Sequence, residues 1–224
     1  MKLLIDDADT AAIRRLYEYY PIDGVTTNPT ILSKSGRQPY EVLEEIRSII
    51  GPDADLHVQV VARDTEGILK DAHTILRRLG GNTLVKIPCV PEGFRAMKLL
   101  KAEGVRLTGT AVYTAMQAYM AAKCGVEYVA PYVNRIDNMG FDGVAVVKQI
   151  QDIFDNNAMD CGILAASFKN SQQLLELCQY GIASATVSPD VIDGLFSNPA
   201  IPAAVEAFTK DFEKLCGSGK TMDV

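Results

Sequence analysis

One lysine of this chain lies where a lysine is out of place. Lys86 sits within Leu84-Val85-Lys86-Ile87-Pro88, an apolar run whose period-two alternation puts Leu84 and Lys86 on one face and Val85 and Ile87 on the other. Burial disfavours an ammonium relative to the neutral amine, and a neutral amine attacks carbonyl carbon. The alternatives are a lysine paired with a carboxylate, for which Asp6 is the candidate, or one that reaches the rim. Tyr132 offers a phenol that can give or take a proton beside an imine, or it is simply a rim aromatic. Gln59 and Thr110 offer groups that can hold a water there. Arg135, Ser167 and Lys169 combine a fork, a hydroxyl and a point charge, a set suited to an anion such as phosphate; the plainer alternative is a pair of surface cations.

These residues share a placement. The chain alternates short apolar runs with longer amphipathic stretches eight times. The runs are Leu3 to Asp6, Gly24 to Thr27, Leu56 to Val61, Leu84 to Ile87, Val105 to Val112, Glu127 to Ala130, Ile163 to Ala166 and Ser184 to Val187. Helical spacing follows most of them, as in Ile68, Ala72, Ile75, Leu76 and Leu79. Such alternation requires a parallel sheet, and eight units with no long linker argue for one closed (β/α)8 TIM barrel. An open doubly wound sheet is the competing topology, but no glycine-rich dinucleotide loop follows the first run. In a barrel, reactive groups stand at the C-terminal strand ends. Asp6, Thr26, Asn28, Gln59, Lys86, Thr110, Tyr132, Arg135, Ser167 and Lys169 fall at the ends of the first seven runs, so they would converge on one mouth. A last amphipathic helix presents Val205, Phe208, Phe212 and Leu215. The expected domain is therefore 1–216, with 217–224 as a polar tail.

Composition removes several other functions. The 224 residues carry 22 Lys and Arg against 28 Asp and Glu, a net charge of −6, with no basic field to attract nucleic acid or an anionic membrane. Five scattered cysteines make no CxxC pair, so neither a disulfide framework nor a zinc ribbon is expected. The two histidines, His57 and His73, have no carboxylate–histidine cluster, so no metal site and no Ser-His-Asp triad is expected. Gly219-Lys220-Thr221 imitates the end of a P-loop, but position 214 is Lys rather than Gly. The N-terminal residues lack signal-peptide character, and no apolar run is long enough to span a bilayer, so a cytoplasmic location is expected.

Three segments carry a resemblance. Gly24-Val25-Thr26-Thr27-Asn28-Pro29-Thr30 is similar to the GVTTNP signature of the transaldolase family, Leu84 to Pro88 to its Schiff-base strand, and Tyr128 to Asp137 (YVAPYVNRID) to its sixth-strand segment. The similarity runs in register from Leu3 to about Phe212. Four features resemble the short fructose-6-phosphate aldolase branch: Gln59 in Val58-Gln59-Val60, the run Gly109 to Tyr113, Pro131-Tyr132, and Ser167-Phe168-Lys169. Asp7 and Asn170-Ser171 depart from the family pattern, which bears on substrate preference.

The resemblance implies that Lys86 forms an imine with dihydroxyacetone or a ketose. It implies that Tyr132 moves protons through a water held by Gln59 and Thr110, and that Arg135 and Ser167 hold the phosphate of glyceraldehyde 3-phosphate. Asp6, Thr26 and Asn28 would bind hydroxyls and orient Lys86. No cofactor or metal is implied, the partners being sugar phosphates and dihydroxyacetone, and the assembly a homo-oligomer, a pentamer or decamer. Three activities stay open. They are an aldolase acting on fructose 6-phosphate, a transaldolase of the pentose phosphate pathway, and a sugar-phosphate-binding barrel without catalysis.

Overall fold

The computed structural model describes residues 1–223. Eight parallel strands close in sequence order into one barrel: β1 (Lys2–Asp6), β2 (Gly24–Thr26), β3 (Asp55–Gln59), β4 (Thr83–Pro88), β5 (Leu107–Val112), β6 (Tyr128–Pro131), β7 (Gly162–Ala165) and β8 (Ser184–Val187). The helices are α1 (Thr10–Tyr19), α2 (Pro29–Lys34), α3 (Pro39–Ile50), α4 (Thr65–Leu79), α5 (Pro91–Ala102), α6 (Ala115–Lys123), α7 (Val133–Asp137), α8 (Gly143–Asn156), α9 (Ser171–Tyr180), α10 (Pro189–Leu195) and α11 (Ala200–Cys216). The closed barrel excludes the open doubly wound sheet. Internal contacts separate two compact units, Met1–Val191 and Ile192–Val224.

The strands are buried on both faces, which is why they read as near-continuous apolar runs. Ile5, Val25, Leu56, Val85, Ile87, Val129 and Ile163 are all fully enclosed, each burial stabilising the fold by about 1.5–3 kcal/mol. Helix α4 shows how the outer ring forms. Asp64 caps it by accepting from the Gly67 N–H, Ile68, Ala72, Ile75 and Leu79 are buried, and Arg77 and Arg78 lie in its last turn, where cations suit the helix dipole. Gly24 lets β2 approach β3, because a Cβ there would lie 2.2 Å from the Asp55 carbonyl oxygen. Helix α11 is amphipathic, and its Val205, Phe208 and Leu215 are exposed.

Two short helices, α2 and α7, fall in stretches without helical periodicity. Helix α2 starts where Asn28 accepts from the Ile31 N–H and Pro29 takes the first position, a capping signal rather than a periodic one. In α7 the Val133 and Asn134 N–H groups donate to the carbonyls of Ala166 and Ser167, at 2.9 and 2.8 Å. This tertiary tie joins the end of β6 to the end of β7.

At the N-terminal end of the barrel lies a cluster of matched charges. Asp55, only 3% exposed, accepts from Lys2 Nζ at 2.7 Å and from Arg106 at 3.3 Å. Arg106 also donates to both oxygens of Glu127, at 2.8 and 2.5 Å, and to Asn82 Oδ1 at 2.6 Å.

Candidate active site

The C-terminal strand ends surround a cavity of about 620 Å³. It is lined by Asp6, Asn28, Lys86, Tyr132, Arg135 and Ser167 from the sequence candidates, together with Asp7, Lys34, Arg37 and Ser188. Lys86 points inward and is buried, with its Nζ donating to the carbonyl of Thr27 at 3.0 Å rather than to a carboxylate. Burial lowers the pKa of this amine from the usual lysine value, and the charge of Asp6 opposes that shift. Burial likewise raises the Asp6 carboxyl, against the pull of Lys86 and of the Thr26 hydroxyl bond. Both groups are thus driven towards their neutral forms, the forms that nucleophilic attack on a carbonyl and donation of a proton require.

Thr26 lies behind this pair rather than on the cavity wall. Its buried hydroxyl is 2.7 Å from Asp6 Oδ1 and 2.7 Å from Thr186 Oγ1. Having a single proton, Thr26 donates to Asp6 and accepts from Thr186, which fixes the Asp6 rotamer. Asn28 caps α2 through Oδ1, at 3.0 Å from the Ile31 N–H, so its amide hydrogens remain for a ligand in the cavity.

Tyr132 and Thr110 form a second group, with hydroxyls 2.8 Å apart. Burial raises the phenol above its ordinary pKa, opposed by Thr110, Arg135 and Ala111, so Tyr132 holds its proton at neutral pH. Thr110 is buried behind the phenol. Gln59 pairs in register with Lys86 and borders a neighbouring apolar cavity of about 420 Å³. Its Oε1 is buried and takes no hydrogen bond from the described residues.

Arg135 sits 4.6 Å above the centre of the Tyr132 ring, and the α7 tie to β7 holds its segment beside Ser167. Ser167 has φ 61°, in the left-handed region that a side chain seldom adopts. Lys169 does not line the cavity. It is exposed, and its backbone N–H donates to Gln173 Oε1 at 2.8 Å. Tyr113, which sequence reasoning gave no role, meets the Tyr132 ring edge-to-face at 5.6 Å and 85°. Lys34, Arg37 and Ser188 were also passed over, and Asp7 was noted only as a departure from the family pattern. Among the described residues no group of three or more His, Cys, Asp and Glu gathers to hold a metal ion.

A buried lysine near a carboxylate at the mouth of a (β/α)8 barrel is an arrangement that can attack a carbonyl compound through its neutral amine. The sequence pattern described as Transaldolase/Fructose-6-phosphate aldolase matches residues 3–223. The chain belongs to the transaldolase/fructose-6-phosphate aldolase family. A relative from Streptococcus pneumoniae, described as a probable fructose-6-phosphate aldolase, is 39% identical over 213 residues, covering 95% of this chain and 96% of the relative. Two solved structures share the fold at low identity. One, described as native KDPGal, has TM-score 0.59 and 16% identity over 85% of this chain and 84% of its own. The other, an enolase from the environmental genome shotgun sequencing of the Sargasso Sea, has TM-score 0.60 and 15% identity over 86% and 53%.

Proposed function

We propose that this chain is a metal-independent Schiff-base aldolase that reversibly cleaves fructose 6-phosphate to dihydroxyacetone and glyceraldehyde 3-phosphate. The observation that carries it is Lys86, an inward amine among apolar strands whose burial favours the uncharged form. Lys86 Nζ adds to the ketose carbonyl and water leaves, giving a protonated imine. Removal of the C4 hydroxyl proton breaks the C3–C4 bond, releases glyceraldehyde 3-phosphate and sends the electron pair into the imine to form an enamine. Protonation at C3 and hydrolysis release dihydroxyacetone and return the amine.

Tyr132 is assigned the proton transfers, through a water between Gln59 and Thr110. The raised phenol and the unpartnered Gln59 Oε1 support that assignment. Arg135 and Ser167 are assigned the phosphate, with Lys169 adding positive charge from outside the cavity. Asp6, Thr26 and Asn28 are assigned the hydroxyls and the orientation of Lys86. The five free cysteines fit a reducing, cytoplasmic setting. The exposed apolar side chains of α11 fit a homo-oligomer, pentamer or decamer, which light scattering would measure.

The test is to incubate the protein with fructose 6-phosphate alone, reduce with borohydride and map the adduct. The expected result is a reduced adduct on Lys86 and free glyceraldehyde 3-phosphate without any acceptor aldose. Product that appears only after erythrose 4-phosphate is added would make the chain a transaldolase. An adduct on another lysine would overturn the site.

A further inference from the structure

Gln117 does not line the cavity, yet its amide meets three chain segments beside the site. It stands in the first turn of α6, where it forms a capping box with Thr114. The Gln117 N–H donates to Thr114 Oγ1 at 3.3 Å, and Gln117 Oε1 accepts from the Thr114 N–H at 3.2 Å. The same oxygen accepts from the Tyr113 N–H at 3.0 Å. Its Nε2 donates to the Cys89 carbonyl at 3.3 Å and to the Ala111 carbonyl at 3.4 Å. A side-chain amide has two donor hydrogens and two acceptor lone pairs, and all four are used here.

The capping box accounts only for the oxygen. Glutamate would fill that role as well, and its charge would suit a helix N-terminus. The amide nitrogen is what distinguishes glutamine, and its two acceptors lie where the strand ends meet. Cys89 follows the Lys86 strand, and its N–H donates to the Thr110 carbonyl at 2.8 Å. Ala111 takes φ 56° at the register shift of β5 between Gly109 and Val112, a conformation that a side chain seldom adopts. On either side of Ala111 stand two residues that bond Tyr132. Thr110 does so through its hydroxyl at 2.8 Å, and Val112 through its carbonyl at 3.1 Å.

We propose that Gln117 is a positioning residue for proton transfer, which holds the bulged end of β5 against the end of β4 and so fixes the Thr110 hydroxyl and the Tyr132 phenol relative to Lys86. The bulge interrupts the ladder from β5 to β6, and a side chain from α6 supplies ties that the ladder lacks there. A misplacement of about 1 Å is enough to cost up to about 10²-fold in rate. The proposal rests on the aldolase assignment and adds that α6 sets how well the phenol delivers its proton.

The test compares two reactions of fructose 6-phosphate. Cleavage without an acceptor needs the enamine carbon to be protonated, whereas transfer to erythrose 4-phosphate does not. Gln117→Met, of similar length but with no amide, is expected to lower kcat for cleavage by about 10-fold or more and to leave transfer near the wild-type rate. In a Tyr132→Phe background the same substitution should remove nothing further from cleavage. Gln117→Glu keeps both N–H partners and sets an oxygen against the two carbonyls. Protonating that oxygen restores a donor, so its cleavage rate relative to wild type should recover as pH falls, while the ratio for Gln117→Met stays flat. Equal losses in cleavage and transfer, a further loss in the Tyr132→Phe background, a Gln117→Glu ratio that ignores pH, or unchanged cleavage would each overturn the role. Borohydride trapping on wild-type Lys86 is run in parallel. No adduct, or no cleavage without an acceptor, means the aldolase assignment fails, whereas an adduct with equal losses in the two reactions rejects only Gln117.

Discussion

At the N-terminal end of the barrel, Asp55 and Arg106 are held by Lys2, Glu127 and Asn82 in a network of matched charges. At the C-terminal end, Lys86 bonds a carbonyl oxygen, Gln59 keeps a buried oxygen without a donor, and Arg135 lies over an aromatic face. Both ends draw on Lys, Arg and Asp side chains on or beside the strands of one barrel. What separates the Asp55–Arg106 cluster from the Lys86 and Arg135 site is whether each charge has its opposite within bonding distance. A matched buried charge holds a fold together once formed, since removing its partner leaves a desolvated ion. An unmatched one costs stability and remains free to react. The barrel keeps the two uses apart by putting them at opposite ends.

Four substitutions strain this contrast, in descending size of effect. Lys86→Met should abolish borohydride trapping and turnover while leaving the melting temperature no lower than that of the wild type, because a poorly matched ammonium has been replaced by an apolar chain of similar length. A marked drop in melting temperature would place Lys86 with the structural charges. Tyr132→Phe should reduce cleavage of fructose 6-phosphate by about 10²-fold or more, the scale for a lost general acid or base, and should spare transfer to an acceptor aldose. Steady-state assays with and without the acceptor read this difference.

Asp55→Asn should do the reverse of Lys86→Met. It leaves Lys2 and Arg106 short of a counter-charge and should cost about 3 kcal/mol, the low end for breaking a buried pair, because both cations are partly exposed. In a chain of this size that is a fall of about 6–12 °C in melting temperature. Specific activity of the folded fraction should hold, and a loss of activity at unchanged stability would break the division between the two ends.

The smallest effect is on pH. Attack requires the neutral amine, so imine formation rises as pH climbs through the lowered pKa of Lys86. The Asp6 charge holds that value up. Asp6→Asn should therefore lower it further and move the acid limb of the trapping rate to lower pH. A limb that stays put, or moves up, contradicts the coupling between Asp6 and Lys86.

Much of this was legible in the sequence because strands and charges obey simple periods. The lysine at the inward position of an apolar strand was visible from Leu84 to Pro88 alone, as was the convergence of Asp6, Asn28, Tyr132 and Arg135 on one mouth. Three things were hidden. Thr26 and Thr110 act from behind the wall because hydroxyls this short reach only a neighbouring side chain. Lys169 stands in sequence beside Ser167, but the backbone turn at Ser167 directs the chain outward before α9. Tyr113 was masked by a bulge in β5, where the register shifts between Gly109 and Val112, since period-two alternation assumes an uninterrupted ladder and one added residue exchanges the faces. The helices α2 and α7 escaped for a related reason, being set by a cap and by tertiary carbonyls rather than by an apolar stripe.

Ala111, at the register shift of β5, takes a left-handed φ of 56°, which has a consequence in time as well as in space. Glycine would enter that conformation without strain, but it would also leave it freely, visiting both signs of φ. An L-residue forced there occupies a small, steep-walled well. The peptide plane carrying the Ala111 N–H is therefore expected to librate narrowly on the picosecond-to-nanosecond scale, and backbone relaxation measurements would report a high order parameter at this turn. Ala111→Gly would relax the strain and loosen that amide, trading a small gain in comfort of the backbone for a less steady link between Thr110 and Val112, the two residues that bond Tyr132.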